Sequence, residues 1–234
     1  MKCSVAMAVY NGSRYIRQQL DSIISQLEDN DELIISVDPS SDDTYDILGE
    51  YAKADARINI TDGPGKGLMA NFEHAICACT GDIILLSDQD DVWEADKLSK
   101  CRQCFEKPDV MVVLHDAAVY DAELENIIIP SFFSYKNVKT GIFTNIMRNS
   151  YMGCCMAFRK ELLSIAVPFP KSIPMHDQWI GILGEMKGKT VLINEPLIKY
   201  RRHGNNMTEM KHAGIWQMLS WRINLVWCLL KRVV

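Results

Sequence analysis

Basic residues are in the minority in this chain: 25 Lys and Arg face 30 Asp and Glu, for a net charge of −5. A nucleic-acid partner normally leaves a basic footprint, so none is expected. A negatively charged small ligand stays open, because a bound cation can supply positive charge locally. No cleavable leader stands in front of the first strand, and Met1–Lys2 runs straight into it, which points to the cytosol. The eight cysteines lack the spacing of a zinc site. Cys101-x-x-Cys104 is one half, and neither Cys77-x-Cys79 nor Cys154-Cys155 is a second. Free thiols are expected instead, with Cys101 and Cys104 on one helix face. A phosphate loop is missing too. Gly63-Pro64-Gly65-Lys66-Gly67 precedes a helix, but its spacing is wrong and Leu68 stands where that motif needs Ser or Thr. There is no internal repeat and no low-complexity linker. What remains, at 24% charged and 48% hydrophobic, is an ordinary globular composition, long enough for one large domain or two small ones.

What is present centres on Gly81 to Trp93, GDIILLSDQDDVW. Ile83 to Leu86 is a continuous apolar run of the kind that forms a strand buried on both faces of a parallel sheet. It ends in Asp88, Asp90 and Asp91. Carboxylates crowded where a buried strand emerges repel one another, so such a cluster usually holds a hard divalent cation. All-oxygen ligation favours Mg²⁺ or Mn²⁺ over zinc. The plainer reading makes Asp91 the N-cap of a helix from about Trp93.

The rest of the first half reads as alternating strands and helices. Strands are expected at Lys2–Val9, Glu32–Val37, Arg57–Thr61 and Gly81–Leu86. Between them, Ile16, Leu20, Ile23, Ile24 and Leu27 mark one helical stripe. Pro39 to Asp43 caps a helix to about Lys53, and a third helix runs from about Leu68 to Cys79. A further helix is expected over Trp93–Phe105. This order predicts a doubly wound, mostly parallel sheet for roughly the first 115 residues. Two of its strands end in acids, Asp38 and Asp88, where open α/β sheets bind ligands. The second half is less regular. Strands are expected at Val110–Leu114, Asn126–Ile129 and Gly153–Phe158, with Thr190–Ile193 and Leu197–Tyr200 paired to each other. Helices are expected at Thr140–Asn149 and from His176 to Lys187. Arg201 and Arg202 lie in a polar, basic loop, where they serve equally as a solvated charge pair or as anion contacts. Lys211–Val234 forms a last, hydrophobic helix.

In this order the motifs SVAMAVYNGSRYIRQQLDSI, ISVDPSSDDT, GDIILLSDQDDVWEADKL and MHDQW resemble the family 2 glycosyltransferases over about residues 3 to 206. MHDQW followed by EPLIKYRRHGNN is most similar to the bacterial rhamnosyltransferase-like branch. The resemblance implies a GT-A (nucleotide-diphospho-sugar transferase) fold, with a mostly parallel central sheet flanked by helices. It implies an inverting, metal-dependent transfer from a UDP- or dTDP-sugar donor to a glycan acceptor, lipid-linked, in bacterial surface polysaccharide synthesis. Residues 1–208 would be the transferase domain, with 1–115 binding nucleotide and 116–208 binding acceptor, and 209–234 a C-terminal helix. Ala8 and Tyr10 would flank the base, and Asp38 would accept from its ring N–H. Asp88 would bind ribose, and Asp90 the Mn²⁺ or Mg²⁺, with His203 and Arg202 near the metal or diphosphate. Asp91 would stand behind the metal or touch the sugar, and Asp177 would be the general base, with His176 a supporting residue. Many members carry Ala-Arg-Asn in the third helix. Here Met69-Ala70-Asn71 keeps the asparagine and lacks the arginine, leaving Lys66 to serve the donor.

Two other functions compete. A nucleotidyltransferase making nucleotide-sugars usually opens with a glycine-rich, arginine-bearing loop, whereas Tyr10-Asn11-Gly12-Ser13 offers a single glycine. A non-catalytic nucleotide- or carbohydrate-binding module would have no need of a base opposite a metal. The final helix has Trp216, Trp221 and Trp227 but is interrupted by Gln217, Ser220, Arg222 and Asn224, so it is a poor transmembrane span. A helix lying in the membrane interface at the inner face of the cell membrane is expected, with packing on the domain or on a second subunit as the alternative.

Overall fold

The computed structural model of the protein describes residues 1–204 and 214–233. Asn205, Asn206, Thr208 and Lys211, which figure in the expected basic loop, the domain boundary at 208 and the start of the last helix, lie outside the described residues.

The chain opens with β1 (Cys3–Val9), all seven residues buried. Helix α1 (Ile16–Ile24) turns Ile16, Leu20 and Ile23 inward, as the stripe predicts. Strand β2 (Glu32–Val37), α2 (Thr44–Ala54), β3 (Ile58–Asp62), α3 (Leu68–Ala78) and β4 (Ile83–Ser87) follow at the expected places. The Gly63–Gly67 loop is glycine-rich for a backbone reason. Gly65 and Gly67 sit at φ +63° and +86°, where a side chain would strain the turn into α3.

The next segment departs from expectation. Val92–Trp93 is a two-residue strand, β5, and helix α4 spans only Lys97–Cys104. Asp91 therefore caps no helix. After α4 come β6 (Val110–Tyr120), β7 (Ile127–Ile129), α5 (Phe132–Lys136) and α6 (Ile142–Met147). Gly153–Cys155 is a 3₁₀ turn rather than strand, leaving β8 as Met156–Arg159. Helix α7 (Leu163–Ala166) and α8 (His176–Lys187) precede β9, and α8 has the expected bounds. The two strands expected to pair at 190–200 are instead one continuous strand, β9 (Lys189–Arg201), paired with β6. Tertiary pairing decides both departures: β9 recruits Val92 and Trp93 antiparallel, Val92 opposite Lys199. Helix α9 (Ile215–Val233) closes the described chain.

Among the described residues one sheet runs β3-β2-β1-β4-β8-β6-β9-β5, with β7 beside β6. β1, β2, β3 and β4 are mutually parallel, and β8 lies antiparallel between β4 and β6. Alternate residues of β1 serve two cores. Val5, Met7 and Val9 share a core with residues of α1, α2 and α4, while Ala6 and Ala8 share the other with residues of α3, α8 and α9. The register places Val9 opposite Val37 and Met7 opposite Ser87. Asp38 and Asp88 thus leave the same carboxyl edge of the sheet, one on each side of β1.

Candidate active site

Three strand ends and one helix start build the site. On the β2 side, the buried Asp38 carboxylate accepts the Gly65 N–H at 2.8 Å. Asn71, buried on α3, donates its Nδ2 to the Val9 carbonyl at 3.1 Å, and its Oδ1 has no partner. Both side chains close on Gly63. A Cβ there would stand 2.5 Å from Asp38 Oδ1 and 2.6 Å from Asn71 Oδ1. Lys66 is exposed on the same loop, one residue past Gly65. Ala8 is buried at the end of β1, and Tyr10 is exposed just beyond it. Gln89 clasps Tyr10, accepting its N–H at 2.8 Å and donating to its carbonyl at 3.0 Å. This clasp ties the first turn to the acid turn. Gln89 stands inside the acid run, where nothing in the local pattern marks it out.

The acid turn itself is divided by burial. Asp91 is fully buried: its Oδ1 accepts the Arg201 N–H at 2.9 Å, and its Oδ2 has no partner. Burial and then the neighbouring Asp90 and Asp88 charges push its carboxyl well above the usual range. Asp88 is raised to about 7 by burial first, then by the charges of Asp90 and Asp177. The candidate base, distant in sequence, is therefore close enough in space to be felt by the acid turn. Asp90 meets His203, whose Nε2 lies 2.7 Å from its Oδ2.

Other groups organise these acids, and two of them carry no signature in the sequence. Lys97 of α4 is buried, with Nζ donating to the Cys154 carbonyl at 2.8 Å and standing 3.8 Å from the Trp93 ring centroid. Loss of hydration lowers its pKa, and the Asp91 charge opposes that. It is a buried cation behind the carboxylates. Cys154 is the second. Its sulfur and one oxygen each of Asp88 and Asp91 lie within 4.8 Å of one another, so a softer donor joins the expected oxygens. Arg201 is buried and not a solvated charge. It donates Nε to the Asp90 carbonyl at 2.7 Å, Nη1 to the Ala122 carbonyl at 2.6 Å and Nη2 to Gln18 at 2.5 Å, with Tyr15 beneath its guanidinium. His203 stacks on the same Tyr15 ring at 4.9 Å. Arg202 is half-buried, its N–H bound to the Tyr120 carbonyl at 2.9 Å.

Asp177 opens α8, where the helix N-terminus favours an acid. Its Oδ1 accepts the Gln178 N–H at 2.5 Å, yet burial prevails and raises its pKa to about 6. His176 beside it stacks on Phe72 at 4.4 Å, and burial lowers it to about 4. It is a neutral ring that packs. A carboxylate raised to about 6, and so mostly ionised at neutral pH, near a second acid group, is suited to accepting a proton opposite a bound cation. The acid turn fits a divalent ion on its own chemistry: crowded carboxylates with raised pKa values and a buried, unpartnered Asp91 oxygen.

The sequence profile described as glycosyl transferase family 2 matches residues 4–165. The chain is 27% identical over 214 residues to an uncharacterised glycosyltransferase of Nostoc sp., a match covering 88% of this chain and 66% of that protein. It is 29% identical over 219 residues to the dTDP-rhamnosyl transferase RfbG of Shigella flexneri, covering 86% of this chain and 72% of the relative. The chain thus spans just under two thirds of the Nostoc protein. Among solved structures, S. aureus TarS 1–349 in complex with UDP-GlcNAc superposes with a TM-score of 0.76 at 16% identity, over 100% of this chain and 68% of that one. That likeness establishes the shared fold.

Proposed function

The chain belongs to glycosyl transferase family 2, and from that premise we propose that it transfers a sugar from a UDP- or dTDP-sugar to a lipid-linked glycan of a bacterial surface polysaccharide. The observation that carries this reading is the approach of two separate acid groups through one turn, where the Cys154 sulfur lies within 4.8 Å of Asp88 and Asp91 oxygens and a Cβ on the adjacent Gly153 would stand 3.8 Å from that of Asp177. Asp38 and Asn71 would receive the base between Ala8 and Tyr10, with Lys66 available to the donor. Asp88 would hold ribose. Asp90, with His203 beside it, would hold Mn²⁺ or Mg²⁺ against the diphosphate, and Arg202 would contact the donor. A divalent cation bound there supplies Lewis-acid stabilisation of the leaving diphosphate. Asp177 takes the acceptor hydroxyl proton as the oxygen attacks the anomeric carbon. One displacement with the base opposite the leaving group inverts the anomeric configuration. The named RfbG and TarS ligands, a dTDP-rhamnosyl donor and UDP-GlcNAc, both offer a base with a ring N–H for Asp38.

A panel of UDP-, dTDP- and GDP-sugars incubated with Mn²⁺ tests the proposal. Hydrolysis or transfer with a UDP- or dTDP-sugar is expected, lost on chelation and lost in Asp90→Ala. Activity in Asp90→Ala close to that of the unaltered protein would remove Asp90 from the metal site. No turnover of any nucleotide-sugar would remove the reaction.

A further inference from the structure

Helix α9 has two apolar faces. Leu225, Cys228 and Leu229 are buried in the core shared with Phe169 and Ile173. On the opposite side, Trp216, Leu219, Ile223, Trp227 and Leu230 recur at spacings of three and four and are exposed, Trp216 to 83%. Neighbouring α6 repeats the arrangement. It turns Ile142 and Ile146 inward and leaves Phe143 76% exposed. Arg222 joins the two helices by donating to the Met147 carbonyl at 2.6 Å. Apolar side chains this large are rarely left in a continuous outward stripe without a partner.

We propose that the α6–α9 face docks on a lipid bilayer bearing anionic headgroups. Charge selects this occupant. In a chain of net charge −5, α9 carries Arg222, Lys231 and Arg232 and no acid. Around it, residues 132–158 carry Lys136, Lys139 and Arg148 without an acid, and 162–176 carry Lys171 without one. Hydrogen bonds tie these segments to the inner sides of α6 and α9, flanking the face. The Lys139 carbonyl accepts from Asn145 of α6 at 2.9 Å, and Ser172, beside Lys171, lies 3.3 Å from Cys228 of α9. Among the described residues Glu185 and Glu73 reach this region and are engaged, Glu185 by the Gly141 N–H and the Tyr151 hydroxyl and Glu73 by the Phe169 N–H, while Asp177 lies buried on the inner side of α6. The three-and-four spacing would also suit a second copy of α9. A self-complementary contact, however, brings together two faces whose charges on α9 are all positive, which opposes association. An anionic surface reverses the sign of that interaction, at a favourable contribution for each basic residue near the headgroups. No described helix is long and apolar enough to cross a membrane, so α9 lies in the interface, tryptophans at the headgroup level.

The docking has a use that rests on the proposed function. Gln178, next to Asp177, donates to the Asn145 carbonyl on the inner side of α6 at 2.6 Å. The candidate base thus stands one helix behind the docking face, within the layer a lipid-linked acceptor would enter.

Co-sedimentation with vesicles tests the docking independently of turnover. The probes are phosphatidylcholine vesicles with and without phosphatidylglycerol, with donor hydrolysis and oligomeric state measured on the same samples. Binding at least about tenfold stronger to the anionic vesicles is expected, falling away at about 0.5 M salt. Trp216→Ser with Trp227→Ser should abolish sedimentation while the melting temperature and hydrolysis stay unchanged. Lys139→Glu with Lys171→Glu should weaken it at low salt. The proposal fails if the intact protein ignores anionic vesicles at low salt, or if the tryptophan variant sediments as before. It also fails if the intact protein is a dimer that the tryptophan variant splits, which would make the face a self-interface. Hydrolysis without vesicle binding sinks the docking alone, and vesicle binding without hydrolysis sinks the transferase reading alone.

Discussion

Asp177 works only as an anion, because a protonated carboxyl cannot take the acceptor's proton. Burial holds its pKa near about 6, so the ionised fraction falls as pH drops through that value. The acid limb of kcat/KM should therefore lie near pH 6, with rate decreasing about tenfold per unit below it. Asp177→Asn should flatten this limb and lower kcat by a factor on the order of 10², while donor affinity, measured by calorimetry, is retained. Weak donor binding with normal kcat would instead make Asp177 a binding residue. Acids of this kind are legible in the sequence because their positions are local. Asp38 and Asp88 follow apolar strand runs, and Asp177 starts a helix whose bounds hold to the residue. Lys97 and Cys154 are not legible in the same way. Lys97 falls in a charged helix turn that reads as solvent-facing, and only the fold brings the Cys154 sulfur to Asp88 and Asp91.

At the scale of elements, the loop before α3 is a seat rather than a phosphate cradle. Gly63 N–H donates to the Val37 carbonyl at 2.7 Å, which pins the loop across the end of β2 beside Asp38 and Asn71. Gly63→Ala should disturb both side chains at once, since its Cβ would meet their oxygens and the Asp38 nitrogen within 2.8 Å. We expect at least roughly tenfold weaker UDP binding, about 1.4 kcal/mol, with a smaller effect on the affinity for Mn²⁺ alone. Unchanged UDP affinity would place the base elsewhere. The strands and helices up to β4 are readable because each parallel strand carries its own buried run and each helix its own stripe. Beyond it, pairing overrides the local pattern. Trp93 looks like a helix residue until Ile198 lies opposite it, and Pro196 looks like a break until β9 passes through it with a shifted register.

For the whole molecule, α9 makes opposite demands on its two sides. Leu225→Ala removes a buried side chain from the core and should cost about 2–5 kcal/mol. In a protein of this size that lowers the melting temperature by roughly 5–15 °C. Trp227→Ala, on the exposed side, should stay within about 0.5 kcal/mol of the unaltered protein. A calorimetric scan showing equal losses would mean that α9 packs by its other face. The composition of α9 announces an apolar helix, but not which face the domain takes, since both read alike. The order of the sheet is equally hidden, because β8 pairs out of sequence. That placement sets a timetable for biosynthesis. When β4 leaves the ribosome, the strand that will cover its edge is still more than 60 residues from being made. At about 5–20 residues per second the nascent chain spends seconds with Ile83, Ile84 and Leu85 presenting an open, apolar edge. A truncation between Tyr120 and Met156 would make that interval permanent, leaving β4 and β6 without the strand that joins them.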